Sequence, residues 1–194
     1  KNKINICFLG QVRPDSGLEL VLPLLTKLNK DYGINLIIAG PHTVHRENIQ
    51  NQIEALGIQN FVYFHNWIKV ENIHTILDDC FCGINLLTDE HSYSSYTIPG
   101  KLIQYLQMLV PVLVTKNNGL LIDIIQEYEM GIVVKPIQEN ILNGILSLFN
   151  NQVPFQSNIE RYFSNHRHLK VEDIVKLSEK SQDEFNDTVF TDTV

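Results

Sequence analysis

A chain of 194 residues, 44% hydrophobic, with 15 basic and 22 acidic side chains and a net charge of −7, has room for one sizeable domain, alone or with an appendage. No apolar run approaches the roughly 20 residues of a membrane-spanning helix and no signal peptide is visible. The negative balance argues against general nucleic-acid binding, which leans on basic surfaces.

The elements alternate from the start. Ile4–Leu9 is an apolar run ending at Gly10, a predicted strand, and Leu18–Lys30 carries leucines at helical spacing with Pro23 as a kink or early-turn residue. Asn35–Ala39 is a second strand closed by Gly40-Pro41, and Glu47–Leu56 a helix stopped by Gly57. Phe61–Phe64 (strand), Val70–Leu77 (short helix) and Cys80–Leu87 (strand) follow. A polar loop then meets Pro99-Gly100-Lys101, which opens an amphipathic helix, and Pro111 opens an apolar β-branched run, in the strand Val110–Val114. Leu120–Tyr128 (helix), Ile132–Val134 (strand) and Glu139–Phe149 (helix) complete the pattern. Strands joined by such helices imply a parallel sheet with right-handed crossovers and both faces covered. The expected fold is α/β: a Rossmann-like, six-stranded parallel sheet over residues 1–150, then a helical extension over 151–194 with a frayed acidic tail. Asn150 to Pro154 reads as the boundary, and Ser157–Phe163 and Val171–Lys180 as two more helices.

Cysteine usage is unremarkable for such a sheet. Of three cysteines, Cys80 and Cys82 lie two apart on one predicted strand, expected to face the same side, and Cys7 lies on another. They read as reduced core residues. The seven histidines give no metal pattern: His42 and His45 are close, with no third ligand nearby.

The loop before Lys101 follows a strand, so it lies at the carboxyl end of the sheet, where such folds bind ligands. A Lys in a first helical turn, beside unpaired N–H groups and the positive end of the helix dipole, suits an anionic group such as a phosphate. It also fits a plain loop whose Lys points at water, and both readings stand. The first βα turn, GQVRPDSG, lacks the G-x-G-x-x-G spacing of dinucleotide sites, and neither a P-loop nor a G-x-S-x-G elbow is present. Arg13 in that turn either reaches a diphosphate or is solvated.

Five segments in order resemble the C-terminal, nucleotide-sugar-binding domain of GT-B glycosyltransferases of group 1. They are FLGQVRPDSGLELVLPLLTKL, INLIIAGP, FVYFHNWI with VENIHTILDDCFCGINLL, SYTIPGKLIQYLQMLVPVLVT, and NNGLLIDIIQEYEMGIVV. The fourth is similar to a branch with P-x-K or P-G-K before a tyrosine-containing helix, which includes bacterial surface-polysaccharide amino- and deoxysugar transferases. Departures accompany the matches. The family's two glutamates, eight positions apart, fall on Tyr96 and Gln104, and its first-loop Arg and Lys fall on Gln11 and Ser16. Gln104 can still bond a ribose hydroxyl, as a neutral partner. Two readings follow, a divergent site or a lost activity.

The resemblance implies retaining transfer of a sugar from a nucleoside diphosphate, with a UDP-sugar the expected donor and neither metal nor cofactor required. Implied contacts are Gly10, Gln11, Arg13, Ile98, Pro99, Gly100 and Lys101 for the diphosphate, Gln104 for the ribose, and Trp67 and Ile68 beside the base through backbone groups. Core packing is the competing use of Trp67, and Asp89 and Glu90 either approach the sugar or are solvated. No catalytic base is assigned. The resemblance also implies a missing N-terminal acceptor-binding domain, which fits a chain starting at Lys1 without Met. Alone, the piece is expected to bind donor weakly and transfer nothing. The whole enzyme is expected in the cytoplasm, with peripheral membrane association. Two alternatives stay open: a nucleotide-sugar epimerase-type enzyme, and a non-catalytic binding domain on the same fold.

Overall fold

A computed structural model describes residues 3–88, 99–116 and 121–166. Six strands form one sheet: β1 Asn5–Leu9, β2 Asn35–Ala39, β3 Val62–His65, β4 Cys80–Asn85, β5 Val112–Thr115 and β6 Gly131–Val134. Every pairing is parallel and the order is β3-β2-β1-β4-β5-β6. The six predicted strands are all present, their ends shifted by two residues at most. Because β4 and β5 are buried along their whole length, they read as continuous apolar runs rather than alternating ones.

Helices cover both faces. On one, α1 Leu18–Val21, α2 Leu25–Tyr32, α3 Val44–Leu56 and α7 Gln138–Asn150 pack Leu18, Leu25, Ile49 and Ile145 around Phe8, Ile38 and Ile84. On the other, α4 His74–Leu77, α5 Gly100–Gln107, α6 Leu121–Glu127 and α8 Gln152–Asn165 pack Leu77, Leu102, Ile125 and Ile159 around Cys7, Ile37 and Val112. The predicted helix Leu18–Lys30 is broken by a 3₁₀ turn at Leu22–Leu24 that holds Pro23, whose ring supplies no N–H. The predicted helix Val70–Leu77 likewise splits into a 3₁₀ turn, Val70–Asn72, and α4. The helix α3 starts three residues before the expected Glu47, because Thr43 Oγ1 accepts the Arg46 N–H at 3.1 Å and caps it.

Asn151 alone separates α7 from α8, and Pro154 sits in the first turn of α8, where a missing N–H is harmless. Ile159 and Tyr162 of α8 enter the second core, and Tyr162 meets Tyr128 edge-on at 4.8 Å. The helix predicted at Val171–Lys180 and the tail after it lie outside the described residues.

The cysteine geometry differs from the expectation. All three are buried and unpaired, but Cys80 lies in the second core with Cys7, and Cys82 lies in the first. The register against β1 shifts between Asn5 and Ile6, so that Cys80 faces Asn5 and Cys82 faces Ile6. One extra residue reverses the side-chain alternation.

Glycines let three loops close on one another at the carboxyl edge. A Cβ on Gly40 would lie 2.0 Å from the Gly10 carbonyl oxygen, and one on Gly17, at φ +69°, would lie 2.1 Å from the Leu86 oxygen. Gly40→Ala is therefore expected to cost about 1–3 kcal/mol, the usual price of overpacking against an unyielding neighbour. A thermal melt matching the parent would overturn that contact.

Candidate functional site

The sheet changes winding direction between β1 and β4. The chain leaves β1 toward the first face and reaches α5 on the second face after β4. Pairing between the two strands stops at Cys7 and Gly83, leaving Phe8 and Leu9 without a β4 partner. Such a point opens a crevice outside the strands' carboxyl ends. Tyr105, fully buried on α5, fills its inner end: the Leu9 N–H donates to the phenol oxygen at 2.7 Å, and the phenol O–H donates to the Cys7 carbonyl at 3.0 Å. The hydroxyl thus replaces the missing ladder partner.

Lys101 lies one turn before Tyr105. Pro99 is the N-cap of α5 and Gly100 its first residue. Helical side chains lean toward the N-terminus, and the Lys101 amine crosses to β1, with Nζ 4.4 Å from the centroid of the Phe8 ring. A Cβ on Gly10 would lie 3.7 Å from Lys101 Cε and 3.8 Å from Nζ. Among the described residues Lys101 has no hydrogen bond and no ion pair. Burial first, and the positive charge of Arg13 second, lower its pKa from 10.5 to about 8, with Asp15 opposing them. Lys101 does not simply point at water; it is partly buried, with its amine held over Phe8 at the crevice.

The first loop is more self-contained than expected. Gly10 takes φ +101° and its N–H bonds the Ala39 carbonyl at 2.8 Å. Gln11 is exposed. Arg13 forms a bidentate pair with Asp15, Nε to Oδ1 at 3.0 Å and Nη2 to Oδ2 at 2.8 Å. Buried Ser16 closes the turn by accepting the Arg13 N–H at 2.7 Å. The Asp15 carbonyl accepts the Thr88 N–H at 3.1 Å, tying the loop to the segment that follows β4. An open groove of about 600 Å³ runs between residues 11–15 and Thr43–His45; Lys101 is not on its wall. His45 pairs there with Glu19 at 2.7 Å, and His42 lies 3.8 Å from Glu47.

Trp67 is not a core residue: it is 69% exposed in the loop after β3, a correction to the packing use expected of it. Ile68 beside it packs against the second core. Gln104, half-buried, lies one turn beyond Lys101 on α5. Ile98, Asp89, Glu90 and Tyr96 lie outside the described residues. The structure thus brings Gly10 and Lys101 together, with Pro99 and Gly100 preceding Lys101 at the start of α5, Arg13 close enough for its charge to act on Lys101 but already paired, and Trp67 two strands away. Sequence reasoning missed Tyr105 and Asp15; the only signals were a tyrosine four residues after Lys101 on an apolar helix face, and a carboxylate two residues from Arg13.

Chemically, an ammonium beside the Gly10 turn, on the first turn of a helix at the sheet's carboxyl end, favours an anion. Comparison with known proteins identifies the family and the fold. The family model for glycosyl transferases group 1 matches residues 1–166. No curated protein matches the chain. Among solved structures, the C-terminal domain of LpcC, a glycosyl transferase group 1 family protein from Francisella tularensis, superposes with a TM-score of 0.69 at 14% identity, over 87% of this chain and 88% of that one. HepE of Anabaena, solved with UDP, gives a TM-score of 0.71 at 15% identity over 96% of this chain. TarM of S. aureus gives 0.70 at 18% identity over 95% of it. The chain spans 49% of HepE and 36% of TarM. At these identities the likeness establishes the fold, one Rossmann-like half of a GT-B architecture.

Proposed function

This chain belongs to the group 1 glycosyl transferases, and we propose that it is the donor-binding half of an enzyme that moves a sugar from a nucleoside diphosphate to a glycan or lipid-linked acceptor. A second domain supplies the acceptor site, and the reaction serves bacterial polysaccharide synthesis in the cytoplasm, at the inner face of the membrane. Attachment in this reading is peripheral; no helix among the described residues is long and apolar enough to cross a membrane. The donor is a UDP-sugar. HepE is solved with UDP and with UDP-glucose, and TarM with UDP, which supports that choice.

One observation carries the reading: the Lys101 amine sits beside Gly10 and over Phe8, without a hydrogen-bonding or ionic partner among the described residues. As the bond to the sugar breaks, negative charge grows on the departing diphosphate. A fixed ammonium and the N–H groups of α5 lower that barrier without metal. A second reading, binding without transfer, draws on the neutral Gln104 and on Arg13 being neutralised by Asp15. Calorimetry or ligand-observed NMR on the 194-residue chain tests the donor site shared by both readings. UDP should bind weakly, more tightly than NAD. No binding of UDP, GDP or their sugars at about millimolar concentration, the weakest range such titrations resolve, would overturn it.

A further inference from the structure

Arg46 is an anomaly in this fold. Only 4% of it is exposed, and among the described residues it has no carboxylate partner. It sits in the first turn of α3, where the helix dipole disfavours a cation. Its Nε is buried without any hydrogen bond. Burying an unpaired charge is costly, and folds keep such costs mainly where function requires them.

The compensation lies in two backbone groups. Arg46 Nη1 donates to the Gly40 carbonyl at 2.7 Å and to the His65 carbonyl at 3.2 Å, and its guanidinium lies 4.8 Å from the Phe64 ring centroid. The Gly40 N–H also reaches the His65 carbonyl, at 3.2 Å. One nitrogen therefore staples the carboxyl ends of β2 and β3. Gly40 in turn packs on the Gly10 oxygen, its absent Cβ leaving room for that contact. Arg46 thus links the turn beside Lys101 to the loop that begins at His65.

That loop lies two strands from β1, about 10 Å at the ordinary strand spacing. It presents the exposed indole of Trp67, a flat apolar surface of the kind on which bases stack. With a diphosphate at Lys101, a nucleoside extending along the carboxyl edge toward β3 would meet residues 66–69. We propose that Arg46 is a positioning residue that holds the His65–Lys69 loop in place for the nucleoside, so that it governs recognition of the nucleoside and not of the diphosphate. This rests on the donor-site reading above.

The test uses the full chain and the variants Arg46→Lys, which keeps the charge but carries its nitrogen one bond short of the two carbonyls and has no planar face for Phe64, and Arg46→Met. UDP and inorganic pyrophosphate are titrated into each, and amide exchange is followed at residues 66–69. The expected result is a loss of about ten-fold in UDP affinity in both variants, pyrophosphate affinity unchanged, and faster exchange confined to the loop. Equal losses for UDP and pyrophosphate, or unchanged exchange at residues 66–69, would overturn the assignment even if the melting temperature falls. Failure of the parent to bind UDP would instead overturn the donor-site reading on which the assignment stands.

Discussion

Lys101→Met should weaken UDP binding by about 1.5–3 kcal/mol, the range for a hydrogen bond to a charged group, and should leave the fold as stable as the parent or more so. The two halves of that expectation come from one cause. The amine lies above Phe8 and beside Gly10 on a partly buried residue, and none of the described residues forms an ion pair with it. Methionine fills a similar volume and removes the charge, at the loss of a cation–π contact of about 0.5–2 kcal/mol. An anionic ligand reverses the balance, since it supplies the missing partner.

The pH dependence follows with a definite sign. The folded pKa of Lys101 is lowered to about 8 from 10.5, by burial first and then by Arg13. Below pH 8 both folded and unfolded chains hold the proton, and the penalty of the buried charge is fully present. Between pH 8 and 10.5 the unfolded chain binds more protons, so stability from this group rises with pH. Across the same window diphosphate affinity falls, because the neutral amine no longer attracts it. Opposite slopes of stability and affinity above pH 8, both absent in Lys101→Met, are the signature. Parallel slopes, or a variant that binds UDP as the parent does while melting lower, would make Lys101 a structural residue only.

Gly83→Ala is expected to destabilise the domain at or above the upper end of the 1–3 kcal/mol range for overpacking. A Cβ there would lie 2.4–2.5 Å from three atoms of the Tyr105 ring. That ring cannot step aside without breaking its hydroxyl contacts to Leu9 and Cys7. Tyr105→Phe separates the two effects. It keeps the ring and strands the Leu9 N–H and the Cys7 carbonyl, at about 1–3 kcal/mol for buried groups left unsatisfied. Chemical denaturation of the two variants checks both values. A Gly83→Ala protein as stable as the parent would mean that α5 does not sit on β4 as described.

The sequence by itself determined the local pattern: six strands, the helices between them, the break at Pro23, the stop at Gly57 and the helix opening at Pro99-Gly100-Lys101. Those features depend on periodicity, on proline's missing N–H and on glycine's access to positive φ, all properties of residues a few positions apart. Tertiary structure decided the rest. The bonds that shape the crevice join Tyr105 to Leu9 and Cys7 across 96 and 98 residues, a pairing that no window of periodicity contains. A single shifted register turned Cys82 away from Cys80, because side-chain direction along a strand depends on where the neighbouring strand pairs. Arg13 was legible as a cation near the site, yet its pairing with Asp15 depends on how the loop turns around Ser16. Burial settled two further side chains: Trp67 stays outside, and Arg46, which no sequence pattern singled out, goes inside, against the usual preference of each residue type, because packing of whole elements determines which side chains are left facing water.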